Sequence, residues 1–175
     1  MKYFCLRFSV LTLVLLAGRY ALAHCEVPCG IYDDQRRFED MLEDQETIAK
    51  GINQIRELAG KADPQSVNQT VRWINTKESH ATNIQQTIAQ YFMTQRIKAG
   101  RTAEGKKRYL TQLTSLHTLL QAAMGCKQTV DLKQPKAIQK LIHAFAGAYF
   151  SPEDNKHVHP KEPKDPEGAQ PKPEK

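Results

Sequence analysis

The chain has 175 residues, 40% of them apolar and 25% charged, with 25 Lys and Arg against 19 Asp and Glu for a formal charge of +6. That length suits one domain with a real core and would crowd two. The first 23 residues hold Lys2, Arg7 and Arg19 and no acid, so the charge falls to +3 once they are removed, an excess too mild for a nucleic-acid binder.

Residues 1–23 combine a basic start, an apolar stretch from Phe8 to Ala17 and the small-x-small pattern Ala21-Leu22-Ala23, which signal peptidase accepts. They are expected to be a cleaved signal, sending the protein to a periplasm, a lumen or the outside. No other apolar run approaches the roughly 18 residues that would span a bilayer, so no membrane segment is expected in the mature form. Cys5 leaves with the signal, and the remaining Cys25, Cys29 and Cys126 are an odd number that fits a disulfide framework poorly.

Cleavage after Ala23 makes His24 the new N-terminus of the string His24-Cys25-Glu26-Val27-Pro28-Cys29-Gly30-Ile31-Tyr32. An amine, an imidazole and two thiols then fall within six consecutive residues. The amine and imidazole of His24 can chelate, the Cys25 amide can lose its proton to a strongly bound ion, and Cys25 and Cys29 add soft thiolates. Tetrahedral zinc more usually draws on four side chains from two separated clusters, whereas mixed N and S donors in a plane favour Ni(II) or Cu(II). An anionic amide nitrogen and thiolates also stabilise a higher oxidation state, which suits redox cycling. The plainer alternative is a small disulfide between Cys25 and Cys29 in an oxidising compartment.

From residue 33 to residue 150 the apolar residues recur at helical spacing. The first helix is expected after Asp33-Asp34, acidic cap candidates, with Phe38, Met41, Leu42, Ile48, Ile52, Ile55 and Leu58 on one stripe until Gly60. Asp63-Pro64 starts a second of about 33 residues, carrying Val67, Val71, Ile74, Ala81, Ile84, Ile88 and Phe92 and stopping near Ala99-Gly100. A third carries Tyr109, Leu110, Leu113, Leu116, Leu120 and Met124 and ends at Gly125; a fourth begins at Pro135 with Ile138, Leu141, Ile142, Phe145 and Tyr149. Short links between long amphipathic helices predict an all-α, antiparallel up-down four-helix bundle over 33–150, preceded by a metal-binding hook at 24–32. From Ser151 to Lys175, six of 25 residues are Pro and charges fill most gaps, the composition of a disordered tail, and its His157 and His159 read as solvated.

Several single residues carry plainer readings. His80, His117 and His143 each lack a second donor three or four residues away and read as surface or packing residues. Cys126 reads as a buried or idle thiol, Lys106-Lys107-Arg108 as a solvated helix start, and Trp73, off the main stripe, as either an interface residue or a packing contact with another helix.

At 24–32 the chain resembles the nickel-containing superoxide dismutases, whose hook reads His-Cys-x-x-Pro-Cys-Gly-x-Tyr; every fixed position is matched. The resemblance implies one nickel ion per subunit, held by the amine and imidazole of His24, the amide nitrogen and thiolate of Cys25 and the thiolate of Cys29. It implies that Pro28 turns the hook, that Gly30 lets the chain pass close to the metal, and that Tyr32 stands beside the open face where superoxide arrives. Glu26 stands where the family often has Asp. More loosely, the resemblance extends over 24–150, where Tyr91-Phe92 is similar to a pair late in the family's second helix, with Met93 in place of the basic residue that often follows. An acid paired with an arginine holds the axial imidazole in the family; Glu39 and Arg72 are the matching positions, with Lys77 and Arg96 as the other basic residues of that helix considered. The implied activity is disproportionation of superoxide in a homohexamer. A rival from the residues alone is an exported metal-carrying helical protein without turnover, and another is a helical interaction module whose two cysteines only pin its N-terminus.

Overall fold

The computed structural model describes residues 34–150; the expected signal, the hook, Asp33 and the tail from Ser151 lie outside the described residues. Helix boundaries follow local chemistry. Helix α1, Gln35–Leu58, stops where Gly60 takes a φ of +83°, a backbone state that costs glycine little. Helix α2, Pro64–Gln86, starts on Asp63, whose Oδ1 accepts the Ser66 amide at 3.0 Å, and Pro64 fits the first turn because its missing N–H would have had no partner. The helix continues without a break as a π-helical segment, Thr87–Arg96. Thr102 caps α3, Ala103–Gln128, by accepting the Gly105 amide at 3.1 Å. A Cβ on Gly100 would lie 2.3 Å from the Gly105 carbonyl carbon, so that link requires glycine. Helix α4, Lys133–Tyr149, follows an Asp131 turn whose carboxylate accepts the Lys133 amide at 2.9 Å.

Side-chain contacts give the helix directions. Asp44 of α1 meets His80 and Asn83 of α2, and further along α1 Gly51 lies against Trp73, so the two are antiparallel. Gln85 reaches the Leu120 carbonyl while Lys77 reaches those of Cys126 and Lys127, and Gln112 reaches Ala148 while Gly125 abuts Gln134. Phe38, early in α1, stacks on Phe145, late in α4, and closes the ring. This is the order of an up-down-up-down four-helix bundle; among the described residues there is no strand.

The core is built from Phe38, Met41, Ile48 and Ile52 of α1, Ala81, Ile84, Ile88 and Phe92 of α2 and its π extension, Leu116, Leu119, Ala123 and Cys126 of α3, and Ile138, Ile142, Phe145 and Ala146 of α4. Two of the expected stripes and two of the expected boundaries need correction. Val67, Val71 and Ile74 are 49%, 51% and 39% exposed. Lys77 already meets the last carbonyls of α3, so the stretch of α2 before it, about 20 Å long, runs past the end of that helix and has no third layer to bury against. On α3 the buried line is Gln112, Leu116, Leu119, Ala123 and Cys126, while Leu110 and Met124 face outward; leucines on more than one side hid the true phase. That helix also passes through Gly125 to Gln128, and the Gln134 side-chain amide lies close against the glycine. Helix α4 begins two residues before Pro135, which sits within the first turn where a proline is tolerated.

Aromatic rings concentrate at one end. Phe38 has its ring centroid 5.2 Å from both Phe92 and Phe145, 5.7 Å from Tyr149 and 4.9 Å from Phe150. Phe38→Ala is therefore expected to destabilise the bundle by about 3–5 kcal/mol, whereas Val71→Ser should be near neutral in the isolated chain. Urea denaturation followed by circular dichroism measures both.

Candidate functional site

The aromatic end of the bundle is also where the described chain begins, two residues after Tyr32. Asp34 occupies the N-cap position of α1 with a helical backbone, and its carboxylate makes no cap bond, contrary to its reading as a cap. It is turned instead into the space between helix ends. Oδ1 accepts the Tyr91 hydroxyl; Oδ2 accepts the Tyr149 hydroxyl at 2.6 Å and the Arg96 guanidinium through Nε at 3.2 Å and Nη2 at 2.5 Å. Arg96 Nε also reaches the Tyr149 hydroxyl at 3.1 Å, and Arg108 donates to the Tyr149 carbonyl at 2.5 Å. Four donors fill the accepting capacity of one carboxylate, and all four helices are tied at this end.

The π-helical segment makes that convergence possible. Ile97 N–H donates to the Phe92 carbonyl, Thr94 Oγ1 to Ala89 and Gln95 Nε2 to Gln90, all five residues back. In an α-helix, residues five apart point about 140° away from each other, and Tyr91 and Arg96 could not both reach one carboxylate. The wider i→i+5 turn brings them toward one face, and such turns recur at functional sites.

The electrostatics follow from the contacts. Burial opposes the charge on Asp34, but hydrogen bonds from Tyr149, Tyr91 and Arg96 outweigh it and hold the carboxyl below its usual range. Burial and the Asp34 charge together push the Tyr149 phenol up to about 12 and raise that of Tyr91 further. Arg96 is raised by its bonds to Asp34 and Tyr149. Arg37 lies over the Tyr91 ring, 5.2 Å from its centroid, and its Nη1 reaches Asp40 at 3.5 Å.

Other titratable contacts lie deeper along the bundle. His80 Nδ1 is 2.6 Å from Asp44 Oδ1, and Asn83 donates to the same oxygen at 3.2 Å. Burial raises Asp44 and these bonds offset it only in part. The partner of His80 stands on another helix, which explains why spacing within α2 missed it. Lys77 is 3% exposed and donates to Glu78 and to the Cys126 and Lys127 carbonyls, all at 2.7–2.8 Å, so it closes the end of α3. Cys126 is buried, and that burial pushes its thiol up to about 11 despite the nearby Lys77 charge. Trp73 packs on Gly51 with the Lys50 ammonium 5.8 Å from its ring centroid, the helix-packing alternative. An open groove of about 780 Å³ between α3 and α4, lined by Lys106, Lys107, Leu110, Thr111 and Leu141 among others, holds no acid, imidazole or thiol.

Of the expected site residues, His24, Cys25, Pro28, Cys29, Gly30 and Tyr32 lie outside the described residues. Glu39 is exposed in the second turn of α1 and accepts from Gln35 Nε2 at 3.4 Å. Arg72 is exposed on α2, level with about residue 52 of α1, roughly 20 Å along the bundle from Glu39. The structure does not bring these two together. Of Arg72, Lys77 and Arg96, the one at the end where the described chain begins is Arg96. Among the described residues no three His, Cys, Asp or Glu side chains are grouped as metal ligands.

A family model described as nickel-containing superoxide dismutase matches residues 19–153, more than three quarters of the chain. Neither the curated proteins nor the solved structures gave a match.

Tyr149 supplies a pH signature for the carboxylate cluster. A phenol whose pKa is raised on folding contributes stability that is complete below its unfolded value near 10 and is lost as pH rises through its folded value, about 12. The melting temperature is expected to fall between about pH 10 and 12, and Tyr149→Phe should flatten that fall. Thermal melts of both proteins across this range test it; parallel curves would contradict it.

Proposed function

The chain belongs to the nickel-containing superoxide dismutases, and we propose that its metal is held by His24, Cys25 and Cys29, in a hook that becomes competent when residues 1–23 are removed. The activity is disproportionation of superoxide: two superoxide anions and two protons give dioxygen and hydrogen peroxide. Nickel is the cofactor. The observation that carries the assignment is the coincidence of the family match with the complete donor string directly behind a signal-peptidase site.

The donor chemistry fits the ion. One amine, one deprotonated amide and two thiolates form a mixed N and S set of the kind that favours Ni(II) in a plane, and the His24 imidazole is available as a fifth donor. Cys126 does not compete, because a buried thiol held near 11 stays protonated at neutral pH and is a poor ligand. Bound nickel supplies a one-electron couple between Ni(III) and Ni(II). The chain does the rest. Pro28 and Gly30 would shape the hook so that donors five residues apart can converge. Tyr32, the last fixed residue of the string, would offer its phenol hydroxyl as a hydrogen-bond donor to an arriving anion.

Export to a periplasm, a lumen or the outside, a disordered tail from Ser151 and a homohexamer with one nickel per subunit complete the reading. The unpartnered line of Val67, Val71 and Ile74 supports self-association, since it is an apolar face that a second copy would cover. Family membership favours turnover over metal carriage.

Two outcomes are expected. A protein with an uncleavable signal, loaded with nickel, should lack activity because the His24 nitrogen is then an amide; normal dismutation by that variant in a superoxide-decay assay would refute the ligand set. In the mature protein, Cys25→Ser and Cys29→Ser should each lower turnover by more than about 100-fold, while Cys126→Ser stays within about twofold. Activity lost only in Cys126→Ser would move the metal site into the bundle.

A further inference from the structure

We propose that Asp34, clamped by Tyr91, Tyr149 and Arg96, is the positioning residue that fixes the root of the nickel hook; the inference rests on the hook reading above and names the part of the bundle that serves it. Asp34 is two residues from Tyr32 and five from Cys29. At no more than about 3.6 Å per residue, an immobilised Asp34 confines the Tyr32 backbone within about 7 Å and that of Cys29 within about 18 Å. A fixed Asp34 therefore limits how far Tyr32 and Cys29 can stray from this end of the bundle.

Two features separate this role from ordinary stabilisation of the bundle. The helices at this end are already held by Phe38, Phe92 and Phe145, whose rings pack on one another independently of the carboxylate. Fixed direction is what such a cluster supplies, through four bonds on one carboxylate from two separate segments of chain. The π-helical segment points the same way. It gives up ordinary α-helical hydrogen bonding over ten residues, and its effect is to turn Tyr91 and Arg96 onto the same carboxylate.

The test measures nickel release rather than activity. Mature protein loaded with nickel is mixed with excess EDTA, and the release rate is compared among wild type, Asp34→Asn and Tyr149→Phe, with melting temperatures of the nickel-free proteins measured alongside. Asp34→Asn should release nickel about tenfold faster than wild type, and Tyr149→Phe, which removes one hydroxyl and no charge, should be intermediate; both lower the nickel-free melting temperature, and Ile52→Ala, which thins the core away from the cluster and lowers that temperature at least as much, should release nickel at the wild-type rate. An unchanged release rate would overturn the proposal. So would an equal acceleration in Ile52→Ala, because the cluster would then be holding helices rather than the hook. Cys29→Ser keeps the two failures apart: nickel retained by that variant as in wild type would remove the hook reading itself, and this inference with it.

Discussion

The carboxylate of Asp34 is where the demands of a bundle and of a metal hook meet. A nine-residue N-terminal string has no core, and chain ends fray unless something ties them down. The ties at its root are polar: two phenol hydroxyls and a guanidinium on one acid, with a second guanidinium on the Tyr149 carbonyl. Beneath them, Phe38 packs between Phe92 and Phe145 and supplies the apolar floor that keeps water from competing for those bonds. Polar rim and aromatic floor depend on each other, and both depend on a local departure from α-helical geometry at Thr87–Arg96.

This arrangement divides the work. On the proposed ligand set, ion chemistry belongs to donors of His24, Cys25 and Cys29, while the four helices provide rigidity and a fixed exit point. Metal binding then contributes its own ordering of the hook, because a site that is not preformed gains structure from its ion. The bundle needs no metal for its stripes to pack, since its core residues lie between Phe38 and Ala146 and include no metal donor other than the protonated Cys126 thiol. Opposite the hook end, α2 extends past the last turn of α3 with Val67, Val71 and Ile74 outward, a face whose composition suits contact with another subunit better than exposure to water.

Much of this was legible in the sequence. Asp63-Pro64, Gly60 and the Phe38 to Ile52 stripe read directly as a cap, a stop and a buried face, because each is a local signal whose cause lies within a few residues. Errors arose where the deciding partner was distant. Val67 and Val71 keep helical spacing, but burial also needs a neighbour of matching length, and α3 ends too soon. Gly125 reads as a stop, yet it serves the approach of Gln134. Asp34 reads as a cap because it precedes a helix; its true partners are 57, 62 and 115 residues away. The meeting of Arg96 and Tyr91 on one carboxylate was not legible either, because a 3.6-residue period gives no hint of a five-residue turn. The donor string itself was the clearest signal in the chain, since its chemistry is contained in consecutive residues.

The central claim is that nickel is held by the amine-terminal donors of His24, Cys25 and Cys29. X-ray absorption at the nickel edge of the mature protein tests it most directly. The account predicts two sulfur neighbours together with nitrogen donors, and a sulfur signal that falls by half in Cys29→Ser if any metal is kept. A spectrum with nitrogen and oxygen neighbours only, in a protein that still dismutates superoxide, would contradict it.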